Sequence, residues 1–254
     1  FVWSFSPDEA WFYWDAQAIA GRFPSQGWLG SYASQPCHLG YGALFWWFYA
    51  SLIHALPYPT DLWAFRVLVY LLCVSIPVAI WAAGEERPAN AWGAVVLWLV
   101  TPMAWWTGKL NSPEIPSLAL CAWSAVLITR GNRKLVAGWL LYGVAAGLKL
   151  TALPALPILA CLSLQAMPRG DFRKQARFGM GALLALAAGF LMSNPIALHA
   201  PRDFLRGLLA ARSPMNFSAP TLQRVLWEPF WEWDAIPSGG IFAHGIGLPA
   251  CCLL

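Results

Sequence analysis

Runs of residues without a single Asp, Glu, Lys or Arg recur along this chain, at Leu39–Leu56, Val67–Ala83, Ala91–Trp106, Ser117–Thr129, Leu135–Leu148, Leu150–Met167 and Phe178–Met192. A helix that is apolar on every side must sit in the core of a large protein or in lipid. Composition chooses between the two. About a quarter of the residues of a soluble domain are charged, whereas here 11% are charged and 59% hydrophobic, with 17 Trp. The chain therefore reads as an all-α polytopic membrane protein, its tryptophans enriched where an indole can bury its ring and still wet its N–H. Several runs fall short of the roughly 20 residues that span a bilayer core, so flanking residues have to be recruited or the membrane has to be locally thin. The net charge of +4 is small and carries no nucleic-acid signal. Neither metal-ligand spacing nor a disulfide framework is visible in the cysteines, Cys37, Cys73, Cys121, Cys161, Cys251 and Cys252. The opening "FVWSFSPDE" has no starting Met, and "GLPACCLL" stops inside an apolar run, so the sequence reads as a fragment.

Orientation follows from the basic connections. "RGNRK" (Arg130, Arg133, Lys134) and "PRGDFRKQAR" (Arg169, Arg173, Lys174, Arg177) are the densest, which assigns both to the cytoplasmic side. The apolar stretch between them must then cross twice, turning near "GLKLTALP" and leaving Lys149 at the outer end of a helical hairpin. Counting back makes "TGKLNSPEIP" external. The opening stretch is external only if Leu39–Leu56 lies in the interface rather than crossing. The clustered rings of "LGYGALFWWFYASLIHALPY", with Trp46, Trp47 and Tyr49, favour that option. The external face then collects Asp8, Glu9, Asp15, His38, Arg66, Lys109, Glu114 and Lys149.

Two acidic helix starts stand out. In "SFSPDEAWFYWD" Ser6 can cap, Pro7 fits the first helical position and Glu9 completes a capping box, which leaves Asp8 without a structural task. Adjacent residues on a helix project about 100° apart, so one carboxylate can cap while the other faces a site. "NSPEIP" repeats the device around Glu114, with Asn111 or Ser112 as the cap. A lysine inside an apolar segment costs several kcal/mol unless it snorkels or is paired, so Lys149 is a functional candidate by default.

These pieces, in order, resemble the integral-membrane glycosyltransferases of the GT-C class. "SPDEAWFYWDAQAIAGRFP", "SQPCHLGYGALFWW" and "WAFRVLVYL" are similar to their first external loop with its juxtamembrane helices. "TPMAWWTGKLNSPEIPSLAL", "GWLLYGVAAGLKLTALPAL" and "SNPIALHAPRDF" continue the likeness. Protein O-mannosyltransferases and lipid A aminoarabinose transferases are the nearest in pattern. The resemblance implies a GT-C-like transmembrane helix bundle that moves a sugar, with inversion, from a polyprenyl-phosphate donor to an acceptor hydroxyl. The acceptor would be a protein, glycan or lipid at the outer, periplasmic face of a bacterial inner membrane. It implies Asp8 as general base with Glu9 beside it, and Lys149, Arg66, His38 and Glu114 as substrate and phosphate ligands. The family's basic residue before a proline in the first loop is missing from "SQPCH", where His38 stands nearby. Some enzymes of the class use a divalent metal and others do not; one shared by Asp8 and Glu114 is compatible with the residues and is not predicted.

The expected organisation is an external first loop over residues 1–66 and a bundle over 67–192. An external interfacial helix at Asp203–Arg212 and an aromatic loop fill 193–240, and a further truncated transmembrane helix starts in 241–254. A transporter, which would also keep rare ionisable residues near Pro-interrupted helices, and a non-catalytic subunit of a membrane complex remain as alternatives.

Overall fold

The computed structural model describes residues 7–35, 42–83, 92–93, 95, 96, 98, 114–167 and 172–210. His38, Lys109, the cap at Ser6, most of Ala91–Trp106, the aromatic loop after 210 and the segment 241–254 lie outside the described residues. Those described are almost entirely helical, with no strand among them. Helices α1 (Pro7–Ala20), α2 (Phe23–Gln26), α3 (Trp28–Ser34), α4 (Ala43–Ala55) and α5 (Thr60–Ala83) are followed by α6 (Glu114–Thr129) and α7 (Asn132–Leu148). A 3-10 turn (Leu150–Ala155) leads to α8 (Leu156–Ala166), α9 (Phe172–Ser193), α10 (Ile196–His199) and α11 (Pro201–Ala210). Thr60–Ala83 and Arg173–Ser193 are long and apolar enough to cross a membrane.

The stretch between the two basic connections folds as expected, as two helices with their break at Lys149. The Trp139 indole donates to Ser163 Oγ at 2.9 Å, pinning α8 back along α7. Gly131, at φ 65°, turns the chain between α6 and α7 beside the Ala166 carbonyl, which puts both basic stretches at one end of the molecule. Ser124 and Ser117 of α6 donate to the Gly138 and Ala145 carbonyls of α7 at 2.8 and 2.9 Å, so α6 and α7 are antiparallel. α7 and α9 run parallel, and their closeness is set by missing side chains. A methyl at Gly143 would overlap the Leu186 carbonyl oxygen, one at Gly189 the Leu140 carbonyl oxygen, and one at Gly147 the Ser193 side chain. Gly143 and Gly147 make the small-xxx-small spacing by which apolar helices approach in lipid.

α4 departs from expectation. Trp46 and Tyr49 are not interfacial anchors: both are buried, with Phe45, under α1 and α5. Tyr49 stacks on Phe65 at 4.1 Å, and Phe12 of α1 meets Phe45 edge-on at 5.6 Å. The aromatic run is dense because it serves an internal cluster; of its rings, Phe48 is left exposed. α5 also starts earlier than "WAFRVLVYL" implied, at Thr60, so Arg66 sits inside the helix and the boundary at residue 66 falls within it. The early start has a cause in Asp61, whose Oδ1 accepts the Leu62 N–H at 2.7 Å, satisfying an orphan donor at the positive end of the helix. Its other oxygen accepts the Tyr13 hydroxyl at 2.8 Å, which ties α1 to α5. The expected helix at Asp203–Arg212 begins earlier, as α11, and is anchored by Phe204, packed edge-on against Phe190 in the last turns of α9.

Two predictions follow from this packing. Gly189→Ala should destabilise the purified protein by about 1–3 kcal/mol in thermal unfolding, because the methyl overlaps backbone that cannot move aside. Gly179→Ala on the same helix meets nothing within 4 Å and should gain up to about 1 kcal/mol from helix propensity. Equal effects would disprove the close crossing. Burial, and next the hydrogen bond to Asp61, push the Tyr13 phenol from 10.0 up to about 12. The neutral phenol is the form the fold favours, so its stabilisation is complete below pH 10 and is lost as pH rises through about 12. Tyr13→Phe should cost about 1–3 kcal/mol at neutral pH and flatten the loss of melting temperature above pH 10. Parallel alkaline profiles would show that Tyr13 does not carry it.

Candidate functional site

The end of the molecule opposite the basic stretches gathers the amino ends of α4 and α6 and the carboxyl ends of α7 and α9. An α-helix leaves its last four carbonyls without intrahelical partners, and at α7 other elements supply donors. The Ala145 oxygen takes the Ser117 hydroxyl and the Lys149 N–H, the latter at 3.1 Å. The Gly147 oxygen takes the Asn194 amide at 3.0 Å, and the Leu148 oxygen takes the Gly42 N–H at 2.9 Å. Ser193 adds a bond to the Val144 oxygen at 3.1 Å. A Cβ on Gly42 would collide with the Gly147 carbonyl, so glycine is the residue that fits there.

Lys149 leaves this end in an extended conformation, φ −151° and ψ 126°. Its ammonium forms an ion pair with Glu114 Oε1, the first residue of α6; the side chains are 15% and 34% exposed. Glu114 also lies at the positive end of its helix dipole, a favourable place for a carboxylate. Pairing removes most of the cost of keeping a lysine in apolar surroundings, and breaking it would strand a charge. Glu114 Oε2 is buried and accepts no hydrogen bond from the described residues, and the same holds for Asn194 Oδ1.

The other expected site residues distribute as follows. Asp8 and Glu9 occupy the first turn of α1, and their side chains lie outside the described residues. Position 8 is one turn before Phe12 on the same helix face. Phe12 shares a packed cluster with Ile115 and Leu148, the chain neighbours of Glu114 and Lys149. Arg66 takes a different partner, its guanidinium carbon 5.7 Å from the centroid of the Trp63 ring. No group of three or more His, Cys, Asp or Glu able to hold a metal ion occurs among the described residues.

Asn194, Ser193, Ser117, Gly42 and Asp61 were not singled out by the sequence reading. Two signals point to some of them: the polar pair "SN" ending the apolar run of α9, and the G-x-x-x-G of "GVAAG" beside it in space.

Comparison with known proteins adds a family. No curated protein and no solved structure matches this chain. The model for glycosyltransferase family 87 matches residues 40–254, a span that contains Glu114, Lys149 and Asn194 and begins after Asp8 and Glu9. A sugar-transferring enzyme also agrees with a membrane-associated helical chain that keeps a partly buried ion pair, and the chain belongs to glycosyltransferase family 87.

Proposed function

We propose that this glycosyltransferase is a polytopic GT-C enzyme, with about six crossings in its central bundle, that uses a polyprenyl-phosphate sugar as donor. Its likeness to protein O-mannosyltransferases and lipid A aminoarabinose transferases supports a single displacement with inversion. The acceptor hydroxyl oxygen bonds to the anomeric carbon while its proton passes to Asp8. The bond from that carbon to the phosphate oxygen breaks, and its electron pair leaves on polyprenyl phosphate. Lys149 stabilises the charge that develops on the phosphate, Glu114 keeps the ammonium charged and aimed, and Glu9 orients the first turn of α1. Arg66 and His38 are further phosphate contacts in this reading.

The observation that carries it is the Lys149–Glu114 pair at a helix break, at the end of the molecule away from both basic stretches. With those stretches cytoplasmic, the pair faces the outer side of a bacterial inner membrane. A phosphate arriving on a lipid needs a fixed cation at that depth, because a preorganised charge in a water-poor site is worth far more than one in solution.

The test is release of polyprenyl phosphate from a labelled donor by the purified protein. Lys149→Met should lower turnover about a hundredfold or more with the fold intact, and Lys149→Arg should recover it in part, since a planar fork does not replace a compact ammonium. Full activity in Lys149→Met would remove the phosphate role. Asp8→Asn preserves shape but cannot accept the proton, so the chemical step should fall on the order of a hundredfold while donor binding is kept. Normal turnover would move the base elsewhere.

A further inference from the structure

We propose that Asn194 is a positioning residue for Lys149: by holding the Gly147 carbonyl it decides where α7 ends, and so where the lysine points.

The sequence does not end α7 at Leu148 by itself. "GLKLTALP" has no glycine after the last helical residue, Leu and Lys are good helix formers, and the first residue that opposes a helix is Pro154. In a helix continued by one turn, the Gly147 oxygen would take the N–H of residue 151 and the Leu148 oxygen that of residue 152. In the structure these two oxygens face donors from other elements, Asn194 Nδ2 at 3.0 Å and the Gly42 N–H at 2.9 Å, and the backbone at Gly42 stands against the Gly147 carbonyl. The Ala152 N–H turns instead to the Lys149 oxygen at 3.1 Å, which opens the 3-10 turn.

Asn194 is suited to this competition. It is 1% exposed, directly after α9, and the same amide nitrogen also donates to the Phe190 oxygen at 3.3 Å. With two carbonyls facing that atom it must be the nitrogen, which fixes the amide orientation. The other amide atom, Oδ1, stays buried without a hydrogen bond, close to where a Cβ on Gly42 would lie. The amide thus joins the Phe190 carbonyl of its own helix to the Gly147 carbonyl at the end of α7, the latter by the shorter bond. Its effect reaches Lys149 through two peptide units: with α7 extended, Lys149 would become helical and its side chain would leave Glu114.

The proposal takes its catalytic meaning from the reading of Lys149 as the phosphate cation, but its test uses neither sugar nor phosphate. The chain in detergent is treated with an acetylating ester, and the modification rate of each lysine is read by mass spectrometry. Lys134 and Lys174, both exposed, are internal controls. In the unaltered protein Lys149 should react about tenfold more slowly than either. Asn194→Leu and Asn194→Asp each remove the amide donor, the second with its shape kept in case the first does not fold. In either, the Lys149 rate should rise about tenfold towards the controls. Ser117→Ala deletes a bond to the Ala145 oxygen, which keeps the Lys149 N–H, so it should lower the melting temperature and leave the Lys149 rate unchanged. An unchanged Lys149 rate in a folded Asn194 variant would overturn the proposal, as would a Lys149 in the unaltered protein that reacts as fast as Lys134. Loss of glycosyl transfer in Lys149→Met bears on the other reading alone.

Discussion

The carbonyls at the end of α7 need donors, and the architecture around them is arranged to provide these. Ser117 reaches them from α6, Ser193 and Asn194 from the end of α9, and Gly42 from the start of α4. In an apolar environment an unsatisfied backbone group costs several kcal/mol, so a helix that stops inside the bundle is tolerable only where neighbours complete it. One requirement thereby fixes the relative height of four elements. It also opens the chain at Lys149, because a residue just past a capped end is free of helical geometry. The ion pair with Glu114 is a consequence of that arrangement as much as a cause.

Closeness makes such capping possible. Ser, Asn and Gly have short reach, and their bonds to another helix require backbones nearly in contact. Gly143, Gly147 and Gly189 permit this between α7 and α9, and Gly138 does so between α7 and α6. Between apolar helices in lipid there is little hydrophobic drive to associate, so packing and interhelical hydrogen bonds have to supply the association. The α1–α4–α5 side solves the problem differently. There large rings interlock, from Phe12 and Phe45 to Tyr49 and Phe65, with the Tyr13–Asp61 hydrogen bond as a polar tie.

Charge patterning made much of this visible in advance. Charge-free runs locate α4 to α9, the break near "GLKLTALP" was expected because two basic connections had to share an end, and Glu114 at the head of a helix follows from "NSPEIP". Partnership was harder to read. Trp46 and Tyr49 look like interfacial anchors until α1 is found to cover them, since an aromatic run has the same composition whether its neighbour is lipid or another helix. Nothing in the sequence around Asp61 marks it, because its partner Tyr13 is distant along the chain. Asn194 was hidden for the same reason: its task is set by Gly147, and one sequence shows spacing along the chain but not across it.

The division of the candidate site between two parts of the chain has a physical consequence. Glu114 and Lys149 lie beside the end of α7, whose carbonyls take donors from neighbouring elements, and within the span that matches the family. Asp8 and Glu9 ride on α1, which is joined to the remainder by ring packing and by one buried phenol–carboxylate bond. Ring packing is non-directional and tolerates small shifts, whereas a hydrogen bond to a buried carboxylate does not. The Tyr13–Asp61 bond is therefore a directional tie on the register of α1 against α5. In the proposed reaction the acid on α1 and the Lys149 ammonium flank one anomeric carbon, which would require the register of α1 to be held closely. A polar tie buried beneath an aromatic cluster can hold it, and a larger area of apolar contact alone could not.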